Sequence, residues 1–179
     1  MIASRRRLLA AGLALPFAPH FAQDALAQSC ARTLNQTEGP FFKTDTPLRA
    51  SFLEKDSRTR LVVSGQVLSA QCRPVANALL EFWHADESGE YDNKGYRFRG
   101  HQHADAQGRY RLETIVPAEY PGRARHIHVK IQAPGRRVLT TQIYFPNDPG
   151  NRRDGIYRAE LEMKIARPGE GAFDFVVDA

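Results

Sequence analysis

Two histidines in the stretch RHIHVKI are the first residues of this sequence whose spacing suggests chemistry. Ile127, Val129 and Ile131 alternate with His126 and His128. Because successive side chains of a strand point to opposite faces, the aliphatic residues face a core and both histidines share the other face. Residues i and i+2 of a strand are about 6.6 Å apart, so two imidazoles there can bind one metal ion. Taken alone, however, a His-x-His pair is more typical of a polar strand face.

A second pair of histidines, His101 and His103, has the same spacing. We interpret this pair as mostly surface residues, with metal binding as the less favoured alternative.

Two tyrosines occupy loops at the ends of predicted strands. Tyr120 lies in PAEYPG before the strand of His126 and His128, and Tyr91 lies in SGEYDN after the strand that holds Trp83. Such loops often display catalytic groups, although a loop tyrosine is more often only a half-buried aromatic residue. Two phenolates and two imidazoles together suit Fe(III), and a trivalent ion would deprotonate a phenol whose ordinary pKa is about 10. Spacing alone does not connect Tyr91 with the histidines.

Short strands separated by turns are predicted to position these residues. From residue 60 onward, segments of β character alternate with turns rich in Gly, Pro, Asp and Asn, and no helical periodicity is sustained. We therefore predict an all-β fold, a β-sandwich of about eight strands with long loops and an N-terminal arm. The predicted strands are 60–69, 78–85, 96–103, 109–115, 125–133, 138–145, 158–165 and 172–177.

The N-terminal stretch has the features of an export signal. SRRRLL at 4–9 leads into the apolar run LLAAGLALPFA, and ALA follows at 25–27. An arginine pair before such a run predicts a twin-arginine signal peptide over 1–27, cleaved after Ala27, and hence a periplasmic or secreted protein. Eleven apolar residues are fewer than the ~20 that span a bilayer, so no stable membrane anchor is predicted.

The rest of the chain is predicted to be one domain. Residues 28–59 are polar and irregular and are interpreted as an arm packed across a sandwich domain at 60–179. The net charge of the whole chain is +5, and removing the signal leaves 22 Lys and Arg, 19 Asp and Glu, and a net charge of +3. These charges are scattered, which argues against nucleic-acid binding. Cys30 and Cys72 are either a disulfide or two buried thiols.

Several motifs in this order resemble the intradiol ring-cleaving dioxygenases, the family of catechol 1,2-dioxygenase and protocatechuate 3,4-dioxygenase. The resemblance starts at TEGPFF (37–42) and ends at TQIYFPND (141–148). Between them stand WHADESGEY (83–91), RGHQHADAQGRYRLET (99–114) and YPGRARHIHV (120–129). The most specific parts are the W-x7-Y spacing, the tyrosine after PAE, and RxxHIH.

The resemblance implies a ligand set and a reaction. One Fe(III) per chain would be bound by Tyr91, Tyr120, His126 and His128. Tyr120 would be the labile ligand, which leaves the metal when a catechol binds through both oxygens and helps accept its second proton. Arg123 would stabilise charge on the activated ring, and O2 would cleave the ring to a cis,cis-muconate-type diacid.

The resemblance also implies which residues contact the catechol. Pro40, Phe41, Arg123 and Gln142 would line the substrate cleft, and relatives often form homo-oligomers. Positive charge from Arg123 and Arg125 mildly favours an anionic catechol.

The chain departs from the family in ways that leave the catechol itself undetermined. The step from Tyr120 to His126 is short and places Gly122 where a tryptophan often stands, which suggests a more open site. The N-terminal helical segment of catechol-type enzymes has no counterpart. Two alternatives stay open: a related sandwich with another metal or reaction, and a non-catalytic binding module of the periplasm.

Overall fold

The strands of the protein form two sheets that pack face to face. A computed structural model describes residues 29–179, so the predicted signal peptide at 1–27 and its cleavage after Ala27 lie outside the described residues. No helix of this range is long and apolar enough to cross a membrane. Its strands are β1 (Leu61–Ser69), β2 (Leu79–Trp83), β3 (Arg99–His103), β4 (Arg109–Thr114), β5 (His126–Gln132), β6 (Leu139–Tyr144), β7 (Lys164–Arg167), β8 (Glu170–Ala172) and β9 (Phe175–Val177).

The order of the strands confirms the predicted all-β sandwich. One sheet has the order β4-β1-β8-β7, with β9 continuing the pairing of β1, and the other has the order β3-β2-β5-β6. Two short 3₁₀ turns, Pro149–Arg152 and Ala159–Leu161, are the helical elements of the described range.

The predicted strands at 158–165 and 172–177 differ from the structure. The alternation in RAELEMKI suggested a strand, but the segment turns at Ala159–Leu161 and pairs in a sheet only from Lys164. The C-terminal segment divides into β8 and β9 because the Asp174 carboxylate accepts the backbone N–H of Gln66 (2.8 Å) between them. A side-chain contact therefore replaces one step of the sheet ladder.

The inner face of the four-stranded sheet forms half of the core. Ile127, Val129 and Ile131 of β5 have no exposed surface, as their alternation with the histidines predicted, and Leu80 and Phe82 of β2 pack beside them. Burying a side chain of this size contributes roughly 1.5–3 kcal/mol relative to leaving it exposed. The core thus fixes which face of β5 the histidines occupy.

The outer face of the same sheet carries polar and aromatic side chains in cross-strand rows. The register places Arg99, Trp83, His128 and Gln142 in one row across β3, β2, β5 and β6. All four are almost completely buried. This face is covered rather than solvated, and the cover comes from the chain before β1.

Residues 29–59, called the arm below, cross this outer face from β6 to β3. At β6, the Gln36 amide donates to the Thr140 carbonyl (2.8 Å), and the Gln142 side chain donates to the Thr37 carbonyl (2.9 Å). Leu48 forms a bridge with β3 further along the arm. The arm thereby places TEGPFF (37–42) directly over the row that contains His128.

A disulfide between Cys30 and Cys72 fastens the start of the arm. This answers the question left open by the sequence, since the two cysteines are paired rather than buried thiols. It ties the arm to the turn after β1.

Removing this disulfide in a Cys30→Ser/Cys72→Ser variant is expected to lower the free energy of unfolding by about 2–4 kcal/mol. The bond closes a loop with a sequence separation of 42 residues, and closure restricts the unfolded chain. Urea unfolding of the variant and of the reduced wild type measures the effect. A loss below about 0.5 kcal/mol in both would show that the arm is held without the disulfide.

Candidate metal centre

Three buried donor atoms converge at the end of the outer sheet face. The Nε2 atoms of His126 and His128 are 3.0 Å apart, and the hydroxyl of Tyr91 is 3.2 Å from Nε2 of His126. All three side chains are buried. Because His126 and His128 are two residues apart on β5, their strand places both imidazoles on one face, as the sequence predicted.

The surroundings of the imidazoles keep them neutral and orient His126. Its Nδ1 lies 2.6 Å from the carbonyl of Ala124, so Nδ1 carries the proton and the lone pair of Nε2 points toward His128 and Tyr91. Burial lowers the pKa of His126 to about 4 and that of His128 well below its usual value. The Trp83 ring stacks on His128, with centroids 4.7 Å apart. Neutral imidazoles with free lone pairs are suitable metal ligands.

The Tyr91 phenol is protonated in this environment as long as no cation binds. Burial raises its pKa well above the ordinary value, and the positive charges of Arg123 and Arg99 oppose this shift. The ring of Phe41 stacks on Tyr91 at 4.3 Å between centroids. A bound metal cation would supply the additional charge that ionises the phenol.

The loops of the two predicted tyrosine ligands lie against each other. The Ala118 amide donates to the Asp86 carbonyl (2.9 Å), and a Cβ on Gly89 would lie only 2.4 Å from the Glu119 carbonyl. Gly89 has φ +88°, so both its conformation and its surroundings require glycine. This close approach brings Tyr120 beside Tyr91, with ring centroids 5.9 Å apart. The Tyr120 side chain is half-buried at the edge of the cluster.

The distances between the donor atoms fit one metal ion. Two donors at right angles, each about 2.1 Å from an ion, are about 3.0 Å apart. Within residues 29–179 no group of three or more His, Cys, Asp or Glu side chains could hold a metal. The third donor atom beside His126 and His128 is the tyrosine oxygen, and phenolate with imidazole is a donor set that suits a ferric ion.

Comparisons with known proteins show which family the chain resembles. A family model described as Dioxygenase matches residues 37–172. The chain belongs to the intradiol dioxygenases. It is 31% identical to catechol 1,2-dioxygenase 2 of Acinetobacter lwoffii over 93% of this chain and 74% of that protein.

Solved structures extend the similarity. The dioxygenase domain of a dioxygenase carbohydrate-binding protein fusion from Streptomyces sp. SirexAA-E is 51% identical, with a TM-score of 0.80 over 83% of this chain and 99% of that chain. Hydroxyquinol 1,2-dioxygenase from Pseudomonas putida DLL-E4 is 27% identical, with a TM-score of 0.75 over 85% of this chain and 68% of that chain. The protein is thus an intradiol ring-cleavage dioxygenase, an oxidoreductase.

In this dioxygenase, Arg123 is held beside the donor atoms by a network of buried groups. Its Nε donates to the Asp154 carboxylate (2.9 Å), and its Nη2 donates to the Gln142 side chain (2.6 Å) and to the Tyr144 hydroxyl (3.3 Å). Asp154 also accepts the Ala124 amide (3.0 Å). The Asp154 carboxylate therefore orients Arg123. It also holds Ala124, whose carbonyl orients His126.

The charges of the two arginines before His126 are balanced. Arg123 pairs with Asp154, and Arg125 pairs with Asp148 at 3.4 Å; both carboxylates are buried. Both cations are therefore paired, and the expectation that they favour an anionic catechol stays a prediction.

The other predicted residues of the dioxygenase lie in different places. Phe41 contacts both tyrosine rings, whereas Pro40 is exposed on the arm beside it. His103 is exposed, and His101 is half-buried, with Nδ1 3.2 Å from the Thr46 hydroxyl. The register places His101 in the row of Glu81 and Lys130, a different row from that of His128.

Two residues that the sequence analysis did not single out are part of this region. Asp154 lies in the long loop after β6, and Arg99 begins β3. Neither has a spacing relative to the histidines that marks it, because each reaches the centre through tertiary packing. The feature that identifies both residues is a charged side chain with almost no exposed surface. Burial of this kind is visible only in the structure.

A third buried histidine of the dioxygenase lies outside the candidate metal centre. His84 packs between Phe52 and Phe98, with Nε2 2.6 Å from the Thr114 hydroxyl and Nδ1 2.7 Å from the Ala85 carbonyl. Burial lowers its pKa to about 4. The side chain therefore stays neutral in the folded protein at pH values where the unfolded chain is protonated.

The lowered pKa of His84 predicts that the folded protein loses stability in acid. Unfolded His84 binds its proton near pH 6.5, whereas the folded side chain binds it only near pH 4. The contribution of His84 to the free energy of unfolding is therefore fully present above pH 6.5, and it falls as the pH is lowered from 6.5 to about 4. The loss is about 3 kcal/mol. Urea unfolding of metal-free His84→Gln at pH 7.5 and pH 4.5 should show a smaller difference between the two pH values than the wild type. The exposed-site control His103→Gln should retain the wild-type difference, and an equal difference in His84→Gln would refute the assignment.

Proposed function

We propose that this dioxygenase holds one Fe(III) per chain and cleaves a catechol-type ring with O2 to give a cis,cis-muconate-type diacid. The observation that carries the proposal is the convergence of the Tyr91 hydroxyl with Nε2 of His126 and Nε2 of His128. The named relatives support the substrate class, since one is a catechol 1,2-dioxygenase and another a hydroxyquinol 1,2-dioxygenase. Both atoms of O2 enter the diacid, so the reaction needs no reductant.

Four side chains would hold the metal, in two groups that differ in burial. Tyr91, His126 and His128 are buried and held by strand and loop contacts, so they serve as the permanent ligands. Tyr120 is half-buried at the edge of the cluster. Tyr120 would therefore be the labile ligand when a catechol binds through both oxygens, and its phenolate would accept the second proton of the catechol.

The chain's other residues bind and orient the substrate. When bound, a ferric ion withdraws electron density from a catecholate and makes the ring reactive toward O2. Arg123, fixed by Asp154, holds a positive charge beside the ring as negative charge develops there. Phe41, whose ring packs on both tyrosines, would cover one side of the bound catechol with Pro40 beside it on the arm, and the buried Gln142 fixes the guanidinium. The preorganised cation does not need to reorient during the reaction.

The disulfide supports a location outside the cytoplasm. Bonds such as Cys30–Cys72 persist in oxidising compartments and are rare in the cytosol. Together with the predicted signal at 1–27, this favours a periplasmic or secreted enzyme. Association into homo-oligomers stays an expectation from the family.

A visible absorption spectrum of the iron-loaded protein tests the function, before and after catechol is added without O2. Tyrosinate bound to Fe(III) should give a wine-red colour that shifts when catechol binds, and admitting O2 should then produce the diacid. A protein that binds iron but cleaves no catechol would favour the alternative of another reaction on the same sandwich. A colourless protein with ferric iron present would refute the ferric centre and favour a binding module.

A Tyr120→Phe variant is expected to keep its fold and bound iron but to lose most of its turnover. The phenylalanine cannot accept the proton of the catechol, and general-base steps of this kind contribute typically 10²–10⁴-fold. Turnover is measured as O2 consumption per bound iron, with Tyr157→Phe as the control for a tyrosine outside the cluster. Unchanged turnover in Tyr120→Phe would contradict the role of Tyr120 as labile ligand.

A further inference from the structure

Arg99 is a buried cation without an anionic partner. Its side chain is 1% exposed, and it lies in the cross-strand row next to Trp83. Among residues 29–179 no carboxylate lies within ion-pair distance of its guanidinium. Burial lowers the pKa of Arg99, as expected for a charge removed from water. Burying an unpaired cation costs several kcal/mol, so a role for this charge is to be sought in its surroundings.

The Arg99 guanidinium donates hydrogen bonds to two main-chain carbonyls, one next to Tyr91 in the chain and one in the arm segment that packs on Tyr91. The Nε atom donates to the carbonyl of Asp92 (3.1 Å), the residue after Tyr91, and Nη1 donates to the carbonyl of Phe41. The Phe41 ring is the one that stacks on Tyr91. Arg99 therefore joins the arm to the loop of the buried tyrosine through two main-chain carbonyls. Farther along the same loop, Lys43 of the arm donates to the carbonyls of Lys94 (3.2 Å) and Gly95 (2.6 Å).

The Asp92 carboxylate attracts the Arg99 cation but lies beyond ion-pair distance from it. Its Oδ1 accepts the amide of Gly95 (2.7 Å), and its Oδ2 accepts the amide of Arg97 (2.9 Å), so the carboxylate is used within its own loop. The third donor of the guanidinium, Nη2 of Arg99, is buried and has no partner in the described part of the chain. Tyr91 lies between the two carbonyl contacts of the guanidinium, and its phenol would become negative when a metal binds.

We propose that Arg99 is a positioning residue of the centre, which clamps the arm to the loop of Tyr91 and provides a fixed positive charge for the Tyr91 phenolate. The clamp needs no metal, whereas the charge role rests on the proposed function, in which Tyr91 is a ligand. The two roles can be separated with two substitutions. Arg99→Lys keeps the charge but loses the fork that reaches two carbonyls, and Arg99→Gln loses both.

The clamp is tested by limited chymotrypsin digestion of the metal-free protein. Cleavage after Phe41 or Phe42, detected after reduction of the disulfide, should be at least tenfold faster in Arg99→Lys and Arg99→Gln than in the wild type. The control is Arg111→Gln, an arginine on β4 with an exposed ion pair to Glu113, which should be cleaved at the wild-type rate. Wild-type rates in both Arg99 variants would overturn the clamp.

The charge role is tested by the tyrosinate band of the iron-loaded variants. Loss of a cation near the phenolate raises the energy of its electrons, so the band of Arg99→Gln should shift to longer wavelength while that of Arg99→Lys stays near the wild-type position. Identical bands in all three proteins, or equal shifts in both variants, would overturn the charge role. If no preparation is coloured, the proposed function fails, whereas the digestion result still decides the clamp.

A measurement on the wild type keeps the proposal testable if the variants do not fold. The Nε–H proton of Arg99 in ¹⁵N-arginine-labelled metal-free protein should exchange with water at least 100-fold more slowly than those of exposed arginines. An exchange rate equal to theirs would overturn the clamp, because the proton donated to Asp92 would then be open to solvent.

Discussion

Replacing Tyr91 by phenylalanine is expected to remove bound iron and visible colour together and to lower ring cleavage by at least about 10³-fold. The phenol oxygen lies 3.2 Å from Nε2 of His126, the nitrogen that faces the pair, so without it the pair offers only two neutral nitrogens. Loss of a group that merely supports a ligand typically costs 10–100-fold in metal affinity, and loss of a ligand costs more. Metal content, the absorption spectrum and O2 consumption measure the three effects.

The fold of Tyr91→Phe should survive the substitution. The ring still stacks on Phe41, and only one buried hydroxyl is lost, which changes the free energy of unfolding of the metal-free protein by no more than about 1.5 kcal/mol. Tyr96→Phe is the matched control, since Tyr96 lies in the same loop but its exposed hydroxyl donates to the Thr44 carbonyl instead. A Tyr91→Phe protein with wild-type iron content and colour would contradict the proposed ligand set.

Replacing Arg123 by alanine is expected to lower turnover by about 10²–10³-fold while leaving iron bound. The guanidinium is a preorganised positive charge, and removing one such group from an active site has an effect of this size. Asp154→Asn should reproduce part of the loss, roughly 10–100-fold, because the carboxylate that orients Arg123 is weakened. The measurements are the turnover number at saturating catechol and the iron content of each variant.

Arg125→Ala provides the control for charge near the centre. Arg125 lies two residues from Arg123, but it is exposed and pairs with Asp148 away from the donor atoms, so its removal should change turnover less than about twofold. Asp154 also holds the Ala124 amide, and the metal-free melting temperature of each variant separates unfolding from loss of catalysis. Equal losses of iron and turnover in Arg123→Ala would assign the arginine a structural role.

The local pattern of the sequence determined much of this protein. Alternation in β5 placed Ile127 and Val129 in the core and His126 and His128 on the opposite face, because side chains of a strand alternate by steric necessity. Turn residues located the first six strands to within a few positions. The order of motifs around Tyr91 indicated the family, which spacing alone could not do.

Tertiary structure decided what those residues contact. The alternation that succeeded in β5 failed at 158–165, because pairing depends on a neighbouring strand and the edge of β6 offers only an isolated bridge there. Asp154 meets Arg123 across 31 positions of sequence, and Arg99 meets Phe41 across 58. Such contacts depend on sheet register and on the path of the arm, which are set by packing of the whole domain. The sequence alone thus specified the donor groups and their strand, and only the folded chain determined the charges that surround them.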